Sequence, residues 1–321
     1  MLDVLRFEPI LKRARWGGRR LGSYLHKSLG LESDYAESWE LVDHGQDQSR
    51  ILSGPHAGIT LGELTRRFPR ELFGNRSEYP STFPLLVKFL DAQDLLSVQV
   101  HPNDIQAPQF IPGSRGKTEA WYILDAAPES CVYAGFQPGT NADKVRQALR
   151  SGTIADLLIA LKVQRGDTLL IPAGTVHALG KGVLLLEIQQ ASDITFRLDD
   201  WGRAGADGKP RALHIEESLQ CLDFESRPRL QMAVRSSGEL IRSDYFALHK
   251  HVIRGATSLP GEDRCRILSV IAGQGRLITQ SSSEPLAIGK TFLIPACVGD
   301  VLIESDADLE LIETRVPDSQ H

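Results

Sequence analysis

The chain has 321 residues, which exceeds one typical domain and favours either two domains or one large one. Its composition, 41% hydrophobic and 24% charged, is that of an ordinary globular protein, and a formal net charge of −5 gives no reason to expect binding to nucleic acid or to a membrane surface. No apolar segment reaches the roughly 18 residues of a membrane span, and the first residues lack the apolar core of a signal peptide, so we expect a cytoplasmic protein.

The first half of the chain alternates irregular segments with short elements. The stretch up to about residue 54 is rich in arginine and glycine, and we expect it to be irregular. After it, TLGELTRRFPRELFG has Thr60 and Glu63 at the spacing of a capping box, which predicts that a helix begins there. FPLLVKFLDAQDLLSVQV predicts a strand, a turn and a second strand, and the pattern WYILDA predicts a further strand from Glu119. Between residues 140 and 162, NADKVRQALRSG and TIADLLIALK predict helical structure broken by a Ser-Gly pair.

Two segments in the second half have similar sequences. RGDTLLIPAGTVHALG begins at Arg165 and IGKTFLIPACVGDVLI begins at Ile288. The repetition, with short strands and Gly-Pro turns, predicts two related β-barrel units. The alternative is that two short strand–turn–strand sequences are similar by chance. The second copy has Asp300 where the first has His177, so we expect the first unit to hold the chemistry and the second to be structural.

Four polar residues of the first unit are candidate metal ligands. In SVQVHPND, residues 97–104, Gln99 and His101 share one face of a predicted strand, which indicates either an exposed edge or two ligands. Glu119 begins a predicted strand, and the PAGTVHA turn presents His177. Imidazole, carboxylate and amide groups suit a divalent ion such as zinc, whereas the four scattered cysteines, with no C-x-x-C pair, argue against a zinc–thiolate site. A lone histidine is more often a core or surface residue, so the hypothesis depends on the joint pattern.

Lys117 is a candidate for proton transfer. The segment GSRGKTE is not a phosphate loop, because the glycine that such a loop requires is replaced by Ile111. Lys117 and Glu119 are two residues apart at a strand start and would share a face. An ammonium beside a divalent cation loses its proton more readily, which suits a proton shuttle. A solvated loop lysine is the alternative interpretation.

Arg197 is a candidate for binding an anion. In ASDITFRL the alternation places Thr195 and Arg197 on one face, and a guanidinium can hold a sugar oxyanion or a phosphate through paired hydrogen bonds. The alternative is a surface ion pair with Asp199 or Asp200.

These motifs together resemble a known family. SVQVHPND, GKTEAWYI, IPAGTVHAL and LLEIQQASDITFRLDDWGR, in this order and spacing, closely resemble the type I mannose-6-phosphate isomerases (phosphomannose isomerases), above all their shorter bacterial form. RWGG, ESWE and FPLLVKFLDA match the family too, so the resemblance covers most of residues 9–220. It implies a mainly β protein of tandem cupin (jelly-roll) barrels. We expect a catalytic unit over residues 1–235, with a helical insertion near 55–80 and 140–162, and a non-catalytic cupin-like unit over 236–321.

The resemblance also implies an activity and a set of site residues. The implied activity is interconversion of mannose 6-phosphate and fructose 6-phosphate by a monomer that binds one Zn²⁺ and has only a phosphosugar as partner. The family's metal ligands match Gln99, His101, Glu119 and His177 of this sequence, and its catalytic arginine matches Arg197. The lysines that line the family's pocket match Lys88 and Lys117, and an acidic residue just after the arginine matches Asp200. Longer relatives carry His-Lys-Pro-Glu where this chain has Gly-Lys-Thr-Glu, and some short relatives replace the glutamine by lysine.

An aldose–ketose isomerisation assigns chemical roles to these residues. A proton moves between C2 and C1 through an enediol, so a general base and stabilisation of charge on the sugar oxygens are required. We expect zinc and Arg197 to stabilise that charge and Lys117 to be the first candidate for the shuttle, with Asp200 or a water at the metal as alternatives. Lys88 and Arg197 are the candidates for binding the phosphate.

Two other functions use similar barrels. A metal-dependent cupin dioxygenase would bind iron or copper through several histidines, but the first ligand position here is Gln99. A non-catalytic sugar-binding cupin could dispense with Lys117 and Arg197, and this sequence has both. The isomerase is therefore the favoured hypothesis.

Overall fold

The computed structural model describes residues 2–204 and 208–316 and is mostly β, with 42% of residues in strands and 14% in helices. The strands of the N-terminal unit are β1 Ile10–Gly18, β2 Tyr35–Leu41, β3 Asp43–His44, β4 Asp47–Gln48, β5 Leu85–Ala92, β6 Val98–Val100, β7 Glu119–Ala126, β8 Cys131–Phe136, β9 Leu158–Lys162, β10 Thr168–Ile171, β11 His177–Leu179, β12 Val183–Gln190 and β13 Phe196–Asp199. Those of the C-terminal unit are β14 Gly238–Arg242, β15 Ala247–Leu259, β16 Arg266–Ala272, β17 Gln274–Ile278, β18 Ser283–Ala287, β19 Thr291–Ile294 and β20 Val301–Arg315.

The helices are short and lie mainly in the N-terminal unit. They are α1 Arg20–Ser23, α2 Leu61–Arg67, α3 Pro69–Phe73, α4 Ala107–Phe110, α5 Ala142–Ser151 and α6 Ile215–Cys221, with 3-10 turns at Ile154–Leu157 and Ala296–Val298. None of the described helices is long and apolar enough to cross a membrane.

Two large antiparallel sheets build the N-terminal unit, together with the small two-stranded sheet of β3 and β4. Their strand orders are β1-β2-β5-β12-β7-β10 and β13-β6-β11-β8-β9. An apolar cluster fills the space between them: Leu90, Trp121 and Leu185 come from the first sheet and Val132 and Leu179 from the second. Because both sheets alternate inward and outward side chains, a few polar residues at inward positions face each other across this layer. This is a cupin-type fold, as expected from the sequence.

The C-terminal unit is a seven-stranded sheet with the order β14-β15-β20-β16-β19, in which β17 pairs with β18 and β20. Its own core contains Leu268, Val270, Phe292 and Leu311. A separate apolar cluster joins the two units, packing Phe73, Phe89 and Tyr122 of the first with Leu248, Leu293 and Ile312 of the second. The units are therefore held together by a continuous buried core.

The two similar segments take matching places in their sheets. TLLI forms β10, which pairs with β7 so that Ile171 lies opposite Glu119. TFLI forms β19, which pairs with β16 so that Ile294 lies opposite Arg266. Arg266 of the C-terminal unit thus occupies the position of Glu119. The division of the chain at residues 235 and 236 stays a prediction.

Several local predictions are confirmed. Thr60 and Glu63 form the two reciprocal hydrogen bonds of a capping box at the start of α2. FPLLVKFLDAQDLLSVQV contains β5 and β6, and β7 begins at Glu119. The helix predicted in NADKVRQALRSG is α5, which begins after the Asn141 cap and ends at Gly152, whose φ is +69°.

Two local predictions were wrong. The stretch before residue 54 is not irregular, since it contains β1 and β2. β1 is an edge strand whose Arg13 and Arg15 are exposed, and these charges hide the β pattern. In TIADLLIALK the helical structure ends at Leu157, and Leu158–Lys162 is strand β9. Its pairing with β8, including Val132 opposite Leu161, overrides the local helical preference.

Candidate metal centre and substrate cavity

The fold brings candidate ligands together from both sheets of the N-terminal unit. In the second sheet β6 pairs with β11, which places Gln99 directly opposite His177. His101 follows the end of β6, and Glu119 begins β7 in the other sheet. His101, Glu119 and His177 are all nearly inaccessible to solvent, with exposures of 1%, 1% and 4%. Two imidazoles and one carboxylate from three strand ends therefore meet inside the unit.

The three side chains form one compact cluster. His101 Nε2 lies 3.5 Å from Glu119 Oε2, and His177 Nε2 lies 3.4 Å from Glu119 Oε1. One ligand atom from each residue lies within 4.8 Å of the others. Each imidazole donates its Nδ1 proton to a backbone carbonyl, His101 to Ile194 at 2.8 Å and His177 to Thr175 at 2.9 Å. These bonds fix both rings with the Nε2 lone pair directed at the cluster.

The electrostatics of the cluster favour neutral imidazoles. Burial, reinforced by the Lys117 ammonium, holds the pKa of His101 well below its usual value. Burial also lowers the pKa of His177, although the carboxylate of Glu119 acts in the opposite direction. Neutral imidazole nitrogens and a carboxylate are the donor set of a catalytic zinc site. The residues present therefore fit a divalent metal ion.

Gln99 lies beside this cluster. Its side chain is half-buried and lines the same cavity, and its amide Nε2 donates to Ser97 Oγ at 3.1 Å. Its strand register places it opposite both His177 and Arg197. The prediction that Gln99 and His101 emerge near one another is consistent with this arrangement.

Lys117 is buried against the cluster and is not a solvated loop residue, because only 5% of it is exposed. Its Nζ lies 2.6 Å from Glu119 Oε2 and 3.1 Å from His101 Nε2. Its backbone N–H donates to the carbonyl of Pro102, which fixes the segment that carries it. The amine is therefore held at the ligand cluster by both its side chain and its backbone.

A second buried layer of charge surrounds Lys88 on β5. Its Nζ lies 3.1 Å from Glu187 Oε1 and 3.3 Å from Glu37 Oε2. Burial acts against the charged form, but the carboxylates of Glu187 and Glu37 outweigh it and raise the pKa of Lys88. Trp121 Nε1 donates to the other oxygen of Glu187 at 3.1 Å, and its ring meets the His177 ring edge-on.

Glu37, Trp121 and Glu187 also belong to the site, although the sequence motifs did not predict them. A signal for Glu187 exists in VLLLEIQQ, where a carboxylate interrupts a strand that is otherwise buried and apolar. Glu37 and Trp121 lie in strands that contain other polar or aromatic residues, so nothing local marks them.

Arg197 on β13 is half-buried and does not pair with the neighbouring acids. Its Nη1 donates to the carbonyl of Ala212 at 2.9 Å. Asp199 Oδ1 accepts from the backbone N–H of Trp201, whereas Asp200 accepts hydrogen bonds from other arginines. Burial, followed by the charge of Arg211, lowers the pKa of Arg197. Asp200 itself is buried behind the cavity wall.

A cavity of about 260 Å³ connects these groups to solvent. Glu119, Lys117 and His177 lie at its buried end, and half-buried Arg197 and Arg211 lie at its open end. Its other lining residues are Trp16, Glu37, Lys88, Leu90, Leu96, Ser97, Gln99, Trp121, Ala178, Leu179, Glu187, Asp193 and Thr195. A cavity of about 450 Å³ lies elsewhere, between the N-terminal segment and the β18–β19 turn, with no part of the ligand cluster in its wall. We therefore assign the chemistry to the smaller, more polar cavity.

Two family models match the chain. Phosphomannose isomerase type I, catalytic domain, matches residues 4–131, and mannose-6-phosphate isomerase, cupin domain, matches residues 236–314. The two matches lie in different units of the structure.

Whole-chain relatives agree with these matches. The mannose-6-phosphate isomerase ManA of Bacillus subtilis (strain 168) is 36% identical, over 95% of this chain and 97% of that protein. The mannose-6-phosphate isomerase of Streptococcus mutans is 34% identical, over 98% of this chain and 99% of that protein. The crystal structure of the mannose 6-phosphate isomerase from Bacillus subtilis matches with a TM-score of 0.87 and 30% identity, covering 98% of this chain and 100% of that one.

Proposed function

The chain belongs to the type I mannose-6-phosphate isomerase family, and from this premise we propose how its residues interconvert mannose 6-phosphate and fructose 6-phosphate. The observation that carries the proposal is the buried cluster of His101, Glu119 and His177, with Lys117 Nζ 2.6 Å from the carboxylate. An enediol pathway needs a base near C1 and C2 and positive charge near their oxygens. The buried end of the cavity supplies both in one place.

One zinc ion per chain is the proposed cofactor. His101, Glu119 and His177 would hold it, with Gln99 as a further ligand, and their two nitrogens and carboxylate suit zinc over harder cations. When bound, zinc supplies a positive charge that polarises the sugar oxygens on C1 and C2. The imidazole orientations already described keep the Nε2 atoms available for this role.

Lys117 and Arg197 carry the proposed proton transfer and charge stabilisation. Lys117 Nζ, in its neutral form, removes the proton from C2 and returns it to C1, while the hydroxyl proton passes from O2 to O1; its burial beside the cluster permits the carbon-to-carbon transfer without exchange with bulk water. The guanidinium of Arg197 donates to the sugar oxygens as they gain negative charge. Asp200 is the second candidate for the shuttle, but both of its oxygens accept hydrogen bonds from arginines, which favours Lys117.

Lys88 is the proposed contact to the sugar hydroxyls. Its ammonium lines the cavity and is fixed between Glu37 and Glu187, so it can donate without adding net charge. The phosphate then requires other cations, because a dianion gains little from an ammonium that is already neutralised by two carboxylates.

The remaining proposals concern the location, the oligomeric state and the partner of the protein. We place the enzyme in the cytoplasm as a monomer, with a phosphosugar as its partner. The dioxygenase and binding-module alternatives lose support, since the family models and the whole-chain relatives are isomerases.

A coupled assay for fructose 6-phosphate tests this proposal. The wild type is assayed as purified, after EDTA, and after zinc is restored, beside Lys117→Ala and Arg197→Ala. We expect activity to disappear with EDTA, to return with zinc, and to fall by about 10²- to 10⁴-fold in the Lys117 variant, as for loss of a general base. A metal-loaded, folded wild type that forms no product would refute the function, and near-normal turnover of Lys117→Ala would remove that lysine from the mechanism.

A further inference from the structure

The open end of the substrate cavity carries an arginine cluster, which we define as Arg197, Arg203 and Arg211 around Asp200. Asp200 Oδ1 accepts from Arg203 Nη2 at 2.7 Å and from Arg211 Nη2 at 2.5 Å, and Asp200 Oδ2 accepts from Arg211 Nε at 2.7 Å. One buried carboxylate thus holds two guanidinium groups. The third, Arg197, lies in the same cavity wall as Arg211.

Charge is distributed unequally along the cavity. At its buried end each lysine faces carboxylates: Lys88 contacts Glu37 and Glu187, and Lys117 contacts Glu119. At its open end the cavity is lined by Arg197, Arg211 and exposed Asp193, while behind this wall Arg203 is paired with Asp200 and lies 3.6 Å from Asp94. An anionic group of a bound molecule is therefore attracted to the open end.

Arg197 shows that this positive charge is not fully compensated. Its Nε is buried and makes no hydrogen bond within the described residues, and its Nη1 is satisfied only by the carbonyl of Ala212. The neighbouring charge of Arg211 contributes to the lowered pKa of Arg197. A buried donor without an acceptor is costly, and an anion between the two arginines would remove this cost.

The backbone fixes Arg211 beside Arg197. The carbonyl of Arg197 accepts from the N–H of His214 at 2.8 Å, and the N–H of Arg197 donates to His214 Nδ1 at 3.1 Å. These bonds tie the segment that carries Arg211 to β13. Arg211 donates to Asp200 through Nε and Nη2, so its Nη1 takes no part in this ion pair.

We propose that Arg211 binds the phosphate of the sugar substrate together with Arg197, and that Asp200 is the positioning residue that orients Arg211. The inference rests on the proposed function, since it assumes a phosphosugar at the ligand cluster. The reacting carbons lie at the buried, metal-binding end, so the phosphate at the far end of the hexose reaches the arginine cluster. The unpartnered Nε of Arg197 and the Nη1 of Arg211 offer charge-assisted donors to phosphate oxygens, whereas the ammonium of Lys88 is already neutralised by two carboxylates.

The test compares Arg211→Ala with wild type on mannose 6-phosphate and with inorganic phosphate as a competitive inhibitor. We expect the KM for mannose 6-phosphate and the inhibition constant of phosphate to rise about ten- to a hundred-fold, the loss of one charge-assisted contact, with a much smaller change in kcat. Arg211→Lys keeps the charge but loses the two-point anchoring to Asp200 and the Nη1 donor, and it recovers only part of the affinity.

Two further variants separate positioning from general structural damage. Asp200→Asn should weaken phosphate inhibition in the wild-type background but add nothing in the Arg211→Ala background, because it acts through that arginine. Arg146→Ala, which removes an exposed arginine paired with Glu216, is the matched control and should leave both constants unchanged. Unchanged KM and phosphate inhibition in Arg211→Ala would overturn the assignment while leaving the isomerase intact, whereas an inactive wild type would refute the proposed function itself.

Discussion

The two units of the molecule place opposite charges at equivalent positions. Glu119 lies opposite Ile171 in the N-terminal unit, and Arg266 lies opposite Ile294 in the C-terminal unit. Glu119 faces two imidazoles, whereas Arg266 donates to the carbonyls of Pro260 and Gly299 at 3.0 and 2.6 Å. Asp300, the counterpart of His177, accepts from the N–H of Gly261 at 2.7 Å.

The difference shows how one sheet arrangement carries either a cluster suited to a metal ion or a structural ion pair. In the C-terminal unit buried Glu313 lies 3.7 Å from Arg266 and accepts from His251 at 2.9 Å, so its charge is balanced by side chains. Among the described residues, the one group of three or more histidine, cysteine or acidic residues suited to a metal ion is in the N-terminal unit. Function therefore depends on a few inward positions rather than on the fold.

Removing one histidine from each unit should give the largest difference in metal content and activity between variants of the two units. His177→Ala loses a proposed metal ligand, so we expect both bound zinc and kcat/KM to fall by more than about 100-fold. His251→Ala in the C-terminal unit should keep the metal and the activity. Metal analysis and the coupled assay, run well below the melting temperature of each variant, provide the two readouts. A metal-bound, active His177→Ala would contradict this distinction.

Neutralising the buried carboxylate of the C-terminal unit should affect stability instead of catalysis. Glu313→Gln leaves Arg266 buried without its counter-charge, and breaking a buried pair in this way costs about 3–5 kcal/mol. Urea unfolding measures the loss, and kcat of the remaining folded enzyme should match wild type. Exposed Glu304 on the same strand is the matched control, since Glu304→Gln should stay within about 0.5 kcal/mol of wild type. If the Glu313 variant had normal stability and a reduced kcat, our assignment of catalysis to the N-terminal unit would be contradicted.

The same carboxylate predicts a smaller, pH-dependent effect. Burial acts to raise the pKa of Glu313, but the hydrogen bond from His251 and the charges of Arg315 and Arg266 lower it from 4.5 to about 2. Because the folded pKa lies below the unfolded one, the stabilisation is present above about pH 4.5 and is lost as the pH falls towards 2. It amounts to at most about 3 kcal/mol. Unfolding free energies measured across this range should fall less steeply for Glu313→Gln, and parallel curves would refute the effect.

The ligand cluster was predictable because its spacing is local. Gln99 and His101 are two residues apart on one strand, and Lys117 and Glu119 are two apart at the start of another, so the strand period alone groups them. His177 was identified because the Pro-Ala-Gly turn of PAGTVHA presents it at the start of a strand, and the similar segment near Ile288 has Asp300 at that place. The structure brings His101, Glu119 and His177 together across the two sheets.

The remaining features depend on contacts between distant parts of the chain. Glu187 meets Lys88 only because β12 pairs with β5, a register that the sequence does not encode locally. Arg211 lies in an irregular segment and reaches the cavity through Asp200 and the β13 backbone. β9 was mistaken for helix because its sheet partner, β8, decides its conformation.

Anomalous X-ray diffraction at the zinc absorption edge, from crystals of the zinc-loaded wild type, would locate the metal ion itself. We expect one strong peak per chain, at about 2.0–2.2 Å from Nε2 of His101, Nε2 of His177 and the carboxylate of Glu119. We expect no peak beside His251 and Glu313. A peak in the C-terminal unit, or none among the three N-terminal ligands, would contradict the assignment of the metal site and of the chemistry built on it.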